Sequence, residues 1–148
     1  SSKGFYKCAN CNMCQFAINR LKNFSYNSIK KYYINEFMNC CSTYVVYAIV
    51  CNCSEVYVGS TIRPLKLRIQ EHARAMKNKD EKSPLGAHMT KVKHDSWHFS
   101  FHGIQKIKRS VRGGDWELIL RQTESRWISR LRVVEKGLNT ENEMHFFL

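Results

Sequence analysis

The chain has 148 residues, 43% of them hydrophobic and 12% aromatic, which suits one core-forming domain with a small appendage and excludes broad disorder. Two prolines and seven glycines exclude collagenous, proline-rich and linker-like chains. A formal charge of +12 is spread over residues 1–43, 44–82 and 83–113, while 114–148 is nearly neutral and rich in acids, a balance that fits a polyanion-binding surface around a carboxylate site.

The chain opens Ser1-Ser2-Lys3, without a charged start followed by an apolar block; we expect an excised piece of a longer protein with no signal peptide. The first 43 residues carry Cys8-x2-Cys11-x2-Cys14 and Cys40-Cys41, with apolar residues in no clean period. Seven cysteines, an odd number in tight C-x-x-C and C-x-C spacings, favour thiolate metal ligation in a reducing intracellular compartment over disulfides. A segment this short would need a metal to fold by itself.

Tyr44 to Cys51 is the longest apolar run, β-branched and aromatic, and far too short to cross a bilayer; it predicts a strand buried on nearly both faces. Residues 51–54 turn the chain and 55–59 return it as a hairpin. Pro64 suits a helix start with Thr61 as a cap, and Leu65, Ile69, His72 or Ala73, and Met76 recur at helical spacing. After a polar break, residues 84–94 predict a second helix and 97–107 a third strand. Gly113-Gly114 ends it, and an amphipathic pattern from Trp116 to Val134 predicts a long helix with Gly137 as its C′ residue. The expected class is α+β, a small three-stranded antiparallel sheet flanked by helices, with a Cys-rich zinc-binding linker over 1–43 and a catalytic domain over 44–148.

Polar residues gather around the hairpin. Tyr47 and Tyr57 lie on paired strands, and Arg68 and His72 are i, i+4 neighbours whose face is aimed at them. Arg63 and Arg68, five apart and about 140° around a helix, are not expected to serve the same site. Glu124 flanks the buried stripe of the last helix, where a carboxylate needs a cation beside it.

Val45-Val46-Tyr47, Tyr57-Val58-Gly59, Arg68 with His72, Glu124 to Ile128 and Gly137-Leu138-Asn139 resemble the successive motifs of GIY-YIG endonucleases, with Val45 in place of the first glycine. More narrowly, the chain is similar to the endonuclease domain of Penelope-like retroelements, which carry a cysteine linker upstream and a Cys/Cys/His/His zinc motif. The resemblance implies a nuclease that nicks target DNA to prime reverse transcription. It assigns Tyr47 as the acceptor of the water's proton, Tyr57 as an orienting hydroxyl and Arg68 as the phosphate's charge partner. It further gives His72 phosphate binding or proton shuttling, Glu124 a single Mg²⁺ or Mn²⁺, and Asn139 support of the site. The implied partners are DNA, element RNA and a reverse transcriptase in the same polypeptide, with no membrane, and the implied place is the nucleus.

Spacing independently makes Cys51, Cys53, His88 and His94 a closed structural zinc set, with His98 and His102 expected to face solvent or DNA. For Cys8, Cys11 and Cys14 the resemblance favours Cys41 as fourth ligand, with Cys40 the close rival. Arg63, Lys106, Lys108, Arg109 and Arg112 are expected on the phosphate backbone. Two alternatives accompany this reading: a catalytically inactive zinc-stabilised nucleic-acid-binding module, and a free-standing GIY-YIG homing or repair nuclease.

Overall fold

Three strands form the central sheet of the computed structural model, which describes residues 2–27, 30–92, 98–110 and 112–140. The apolar run becomes β5 (Val45–Cys51), the central strand, paired antiparallel with β6 (Val56–Thr61) and with β7 (Phe99–Lys106). Ahead of them, β1 (Gly4–Tyr6) pairs in parallel with β4 (Phe37–Asn39), and β2 (Asn23–Phe24) pairs with β3 (Tyr32–Tyr33). Helices α1 (Leu65–Lys77), α2 (Pro84–Val92) and α3 (Trp116–Arg130) complete the order expected from the apolar pattern. Among the described residues, no helix is long and apolar enough to cross a membrane.

The register sorts side chains onto two faces, because directly paired residues share a face. Tyr47, Ile49, Tyr57, Gly59 and Phe101 share one, where Phe5 meets Phe101 edge to face with centroids 5.7 Å apart. Val46, Ser60 and Gln105 share the other, against which α3 lies, with the Trp127 Nε1–H donating to Gln105 Oε1 at 2.8 Å. His102 is on this second face too. It is fully buried beside Phe24 and bonded to Tyr26 Oη at 3.0 Å, not turned to solvent or DNA as its alternation suggested.

Both sheet edges are closed, which removes the hazard of unpaired strand backbone. On the β7 edge, Ile18 N–H donates to Phe101 O at 2.9 Å. On the β6 edge, Leu138 N–H donates to Val56 O at 2.9 Å, and the Asn139 side chain both accepts from Val58 N–H and donates to Val58 O, each at 2.8 Å. Asn139 thus pairs with β6 as a backbone residue would.

Two expected boundaries differ. Thr61 ends β6, and its Oγ1 accepts from Arg63 N–H; α1 is capped by the N-terminal segment, with Leu65 N–H on Ser42 O and Lys66 N–H on Cys40 O. Helix α3 stops at Arg130 with Leu131 as C-cap, and Arg132 rather than Gly137 takes the left-handed conformation after it. Gly137 is required by space instead, since a Cβ there would lie 2.5 Å from Val56 O.

Replacing Asn139 by Ala strands the Val58 amide and carbonyl in a buried position. It should cost about 2–4 kcal/mol and lower Tm by about 5–10 °C in thermal denaturation.

Candidate active site and metal centres

Tyr47 is fully buried. It pairs with Gly59 on β6, and its ring crosses that glycine so closely that a Cβ on Gly59 would sit 2.5 Å from the phenol oxygen. Its Oη is 2.6 Å from His72 Nε2 on α1, and the Tyr57 ring meets the same imidazole edge-on at 5.3 Å. His72 therefore stands behind both tyrosines, where burial first and the Arg68 charge second push its pKa down to about 3. The ring is neutral at physiological pH, so it accepts a hydrogen bond from the phenol or donates one to a phenolate, according to tautomer.

In front of the tyrosines opens a cavity of about 400 Å³, with Tyr47, Tyr57, Arg68 and Glu124 in its wall together with Arg63, Arg121, Glu117 and Ser60. Residues from both faces meet here around the end of β6: the tyrosines from one, and Ser60, whose Oγ donates to Glu124 Oε1, from the other. His72 and Asn139 are not in the wall. Arg63 and Arg68, expected to be apart, share the cavity because Arg63 precedes α1 and is not bound by helical spacing. Both bind Glu71, Arg63 Nη2 at 2.7 Å and Arg68 Nη1 at 3.0 Å, and the Arg63 contact leads in holding that carboxyl below its usual range.

Glu71, Ser60, Arg121 and Glu117 were not singled out in the sequence. Glu71 alone had a local signal, its i, i+3 spacing from Arg68; the others reach the cavity by tertiary packing. Of the remaining basic residues, Arg109 lies over the Tyr44 ring at 4.5 Å, Lys106 ends β7, and Lys108 and Arg112 are exposed.

Among the described residues, two ligand clusters lie outside the cavity. Cys8, Cys11, Cys14 and Cys40 bring their sulfurs within 4.8 Å of one another, centred on Cys14, which is 3.3, 3.5 and 3.8 Å from Cys8, Cys11 and Cys40. The fourth thiol is thus Cys40, not Cys41. Cys40 is buried under the start of α1 and its neighbour is turned to solvent. Burial opposes ionisation of Cys14, but backbone and thiol hydrogen bonds from Cys11 and Cys8 outweigh it and hold the thiol at about 6. Four soft sulfurs at this separation suit a tetrahedral zinc.

The second cluster joins Cys51 and Cys53 on the hairpin turn to His88 on α2, with His88 Nε2 at 3.2 and 3.3 Å from the two sulfurs. His94 lies outside the described residues. Glu55, unremarked in the sequence, faces His88 Nδ1 at 3.2 Å. A carboxylate there fixes the tautomer that leaves Nε2 free to ligate.

A family model described as the GIY-YIG catalytic domain matches residues 43–139, more than half of the chain. No curated protein matches, and no solved structure does.

The imidazole nitrogens of His72 and of His102, which burial holds at about 4, should stay in their neutral shift range in NMR spectra from about pH 8 to about pH 5. Both folded values lie below the free-histidine value near 6.5, so their contribution to stability is complete above it and is lost as pH falls toward about 4 and 3. By elemental analysis, Cys40→Ser should lose about one equivalent of zinc while Cys41→Ser retains it.

Proposed function

The chain belongs to the GIY-YIG catalytic-domain family, a family of nuclease fold, and on that premise we propose that it is a metal-dependent DNA endonuclease that nicks target DNA to prime reverse transcription of a Penelope-like retroelement. The observation that carries the reading is the convergence of Tyr47, Tyr57, Arg68 and Glu124 on one cavity wall from four different elements or element ends. A surface that only binds phosphates needs no such ordered set.

In this reading Tyr47 Oη takes the proton of the attacking water. To accept it Tyr47 must already be a phenolate, to which the neutral imidazole of His72, in its Nε2–H form, donates a hydrogen bond, and Arg68 stabilises the same anion by its charge. His72 cannot itself keep the proton, because burial beside Arg68 disfavours the imidazolium. It is a positioning residue. Tyr57 orients the water or a phosphate oxygen. Arg68, with Arg63 beside it, meets the charge that builds on phosphorus as the water's oxygen bonds to it and the bond to the 3′ oxygen breaks; that oxygen takes a proton from solvent to become the 3′ hydroxyl that primes synthesis.

The donor set fits a hard cation: the Glu124 carboxylate with the Ser60 hydroxyl beside it, in the wall of the 400 Å³ cavity. Bound there, Mg²⁺ or Mn²⁺ would supply Lewis-acid neutralisation of the phosphate. The cysteine clusters, with sulfur ligands outside the cavity, are assigned structural zinc. They support the retroelement reading because one lies upstream of the domain and the other within it. DNA is the substrate, and element RNA and a reverse transcriptase in the same polypeptide are the proposed partners, acting in the nucleus.

With supercoiled plasmid and Mg²⁺ or Mn²⁺, the protein should produce open circles, and Glu124→Ala should slow this by at least about 100-fold while binding DNA normally. The rate should rise with pH, as expected for a phenol that must ionise. Retarded but uncut plasmid under every metal condition would favour the binding module, and wild-type nicking by Glu124→Ala would remove the cation from that carboxylate.

A further inference from the structure

A second groove, of about 530 Å³, opens where β3, the end of β7 and the last turn of α3 meet, and it shares no lining residue with the catalytic cavity. Its wall combines three aromatic rings, Tyr32, Tyr33 and Trp127, with three cations, Lys30, Lys31 and Arg130, against a single carboxylate, Glu36. That carboxylate already accepts from Lys106 N–H at 3.3 Å.

Tyr33 is 63% exposed, the largest exposure among the large apolar side chains of the described residues. An antiparallel pairing with β2 holds its backbone, so the ring is displayed from a strand. Beside it, Tyr32 packs edge-on to Trp127 with centroids 5.0 Å apart, and the Trp127 Nε1–H is fixed by Gln105. Cations already ride on these rings: Arg130 lies 5.1 Å over Trp127, and Lys30 lies 5.3 Å over Tyr32. A rigid aromatic floor with flat cationic edges is unlike the surface that duplex DNA requires, which needs charge but no exposed ring. It matches an unpaired strand, whose bases stack on aromatic faces while its phosphates meet Lys and Arg.

We propose that this groove is a second nucleic-acid site, binding a single-stranded segment with a base stacked on Tyr33 and phosphates on Lys30, Lys31 and Arg130. It goes beyond the cleavage chemistry and does not depend on it. Helix α3 links the two sites: Glu124 lies in the cavity wall and Arg130 in the groove, about 9 Å apart along the axis. An unpaired strand next to the cut could therefore be held by the same helix that presents the carboxylate.

The test uses the full chain without added Mg²⁺ or Mn²⁺ and without chelator, reading the anisotropy of labelled dT15 and of a 15-base-pair duplex. Tyr33→Ala, an exposed change that leaves the core intact, should weaken dT15 binding about 10-fold and leave duplex affinity within about two-fold. Tyr33→Phe should bind dT15 as the unaltered chain does. Lys31→Ala should lower the salt dependence for dT15 by about one phosphate contact. Unchanged dT15 affinity in Tyr33→Ala, equal losses on dT15 and duplex, or no dT15 binding by the unaltered chain would each overturn the assignment. Because nothing is cleaved in this assay, an inactive nuclease with a Tyr33-dependent dT15 site would retain the groove and lose only the catalytic reading.

Discussion

The contact between Tyr47 and His72 fixes the geometry around which the rest is arranged. A phenol must lie across the centre of the sheet, and it can do so only where the paired residue has no Cβ; Gly59 meets that need. Once there, its hydroxyl is buried and must have a partner, and the partner comes from α1. That bond ties helix to sheet at the point where Arg68, one turn earlier on α1, enters the cavity wall. A neutral imidazole is the form that fits, because a second positive charge beside Arg68 in a buried space would be opposed by both desolvation and repulsion. Position, protonation and charge at the cavity are therefore one coupled constraint.

The start of α1 is held from a different quarter. Its first two amides are capped by the carbonyls of Ser42 and Cys40, and Cys40 also contributes a sulfur to the thiol cluster. Order in that cluster is thus transmitted through a single residue to the helix that carries Arg68 and His72. The N-terminal segment does further structural work by closing the β7 edge and covering Phe101. The hairpin cluster acts likewise, pinning the β5–β6 turn to α2 through His88. Two clusters of soft ligand atoms thus tie the N-terminal segment and the hairpin turn to the helices beside them.

The sheet and three helices were legible because each rests on a local pattern: the β-branched run of 45–51, the period of Leu65, Ile69 and Met76, and the stripe of α3. That the tyrosines, Arg68 and Glu124 come together on one cavity wall was legible by order and spacing. What was not legible depends on three-dimensional return of the chain. Cys40 and Cys41 are adjacent in sequence, and only the turn that caps α1 decides which of them faces inward. His102 alternates as a surface strand residue would, yet the N-terminal segment folds over it. Arg63 was judged by helical geometry although it lies before the helix, and Ser60 and Glu117 carry no local signal at all.

Charge divides the molecule's work further. In the cavity, Arg63, Arg68 and Arg121 face Glu117 and Glu124, with Glu71 bridging two of the arginines from outside the wall. Glu71 is more than a third exposed, so its ion pairs contribute little to stability. Their effect is on orientation: one carboxylate holds two guanidinium groups together beside the opening. A phosphodiester entering the cavity presents oxygens that compete with that carboxylate for the same donors, and as the attacking oxygen adds to phosphorus it gathers a second negative charge that Glu71 never carries. The arginines are thus kept ordered yet exchangeable, while His72, Asn139 and the cysteine sulfurs, whose contacts help set the fold, lie outside the wall.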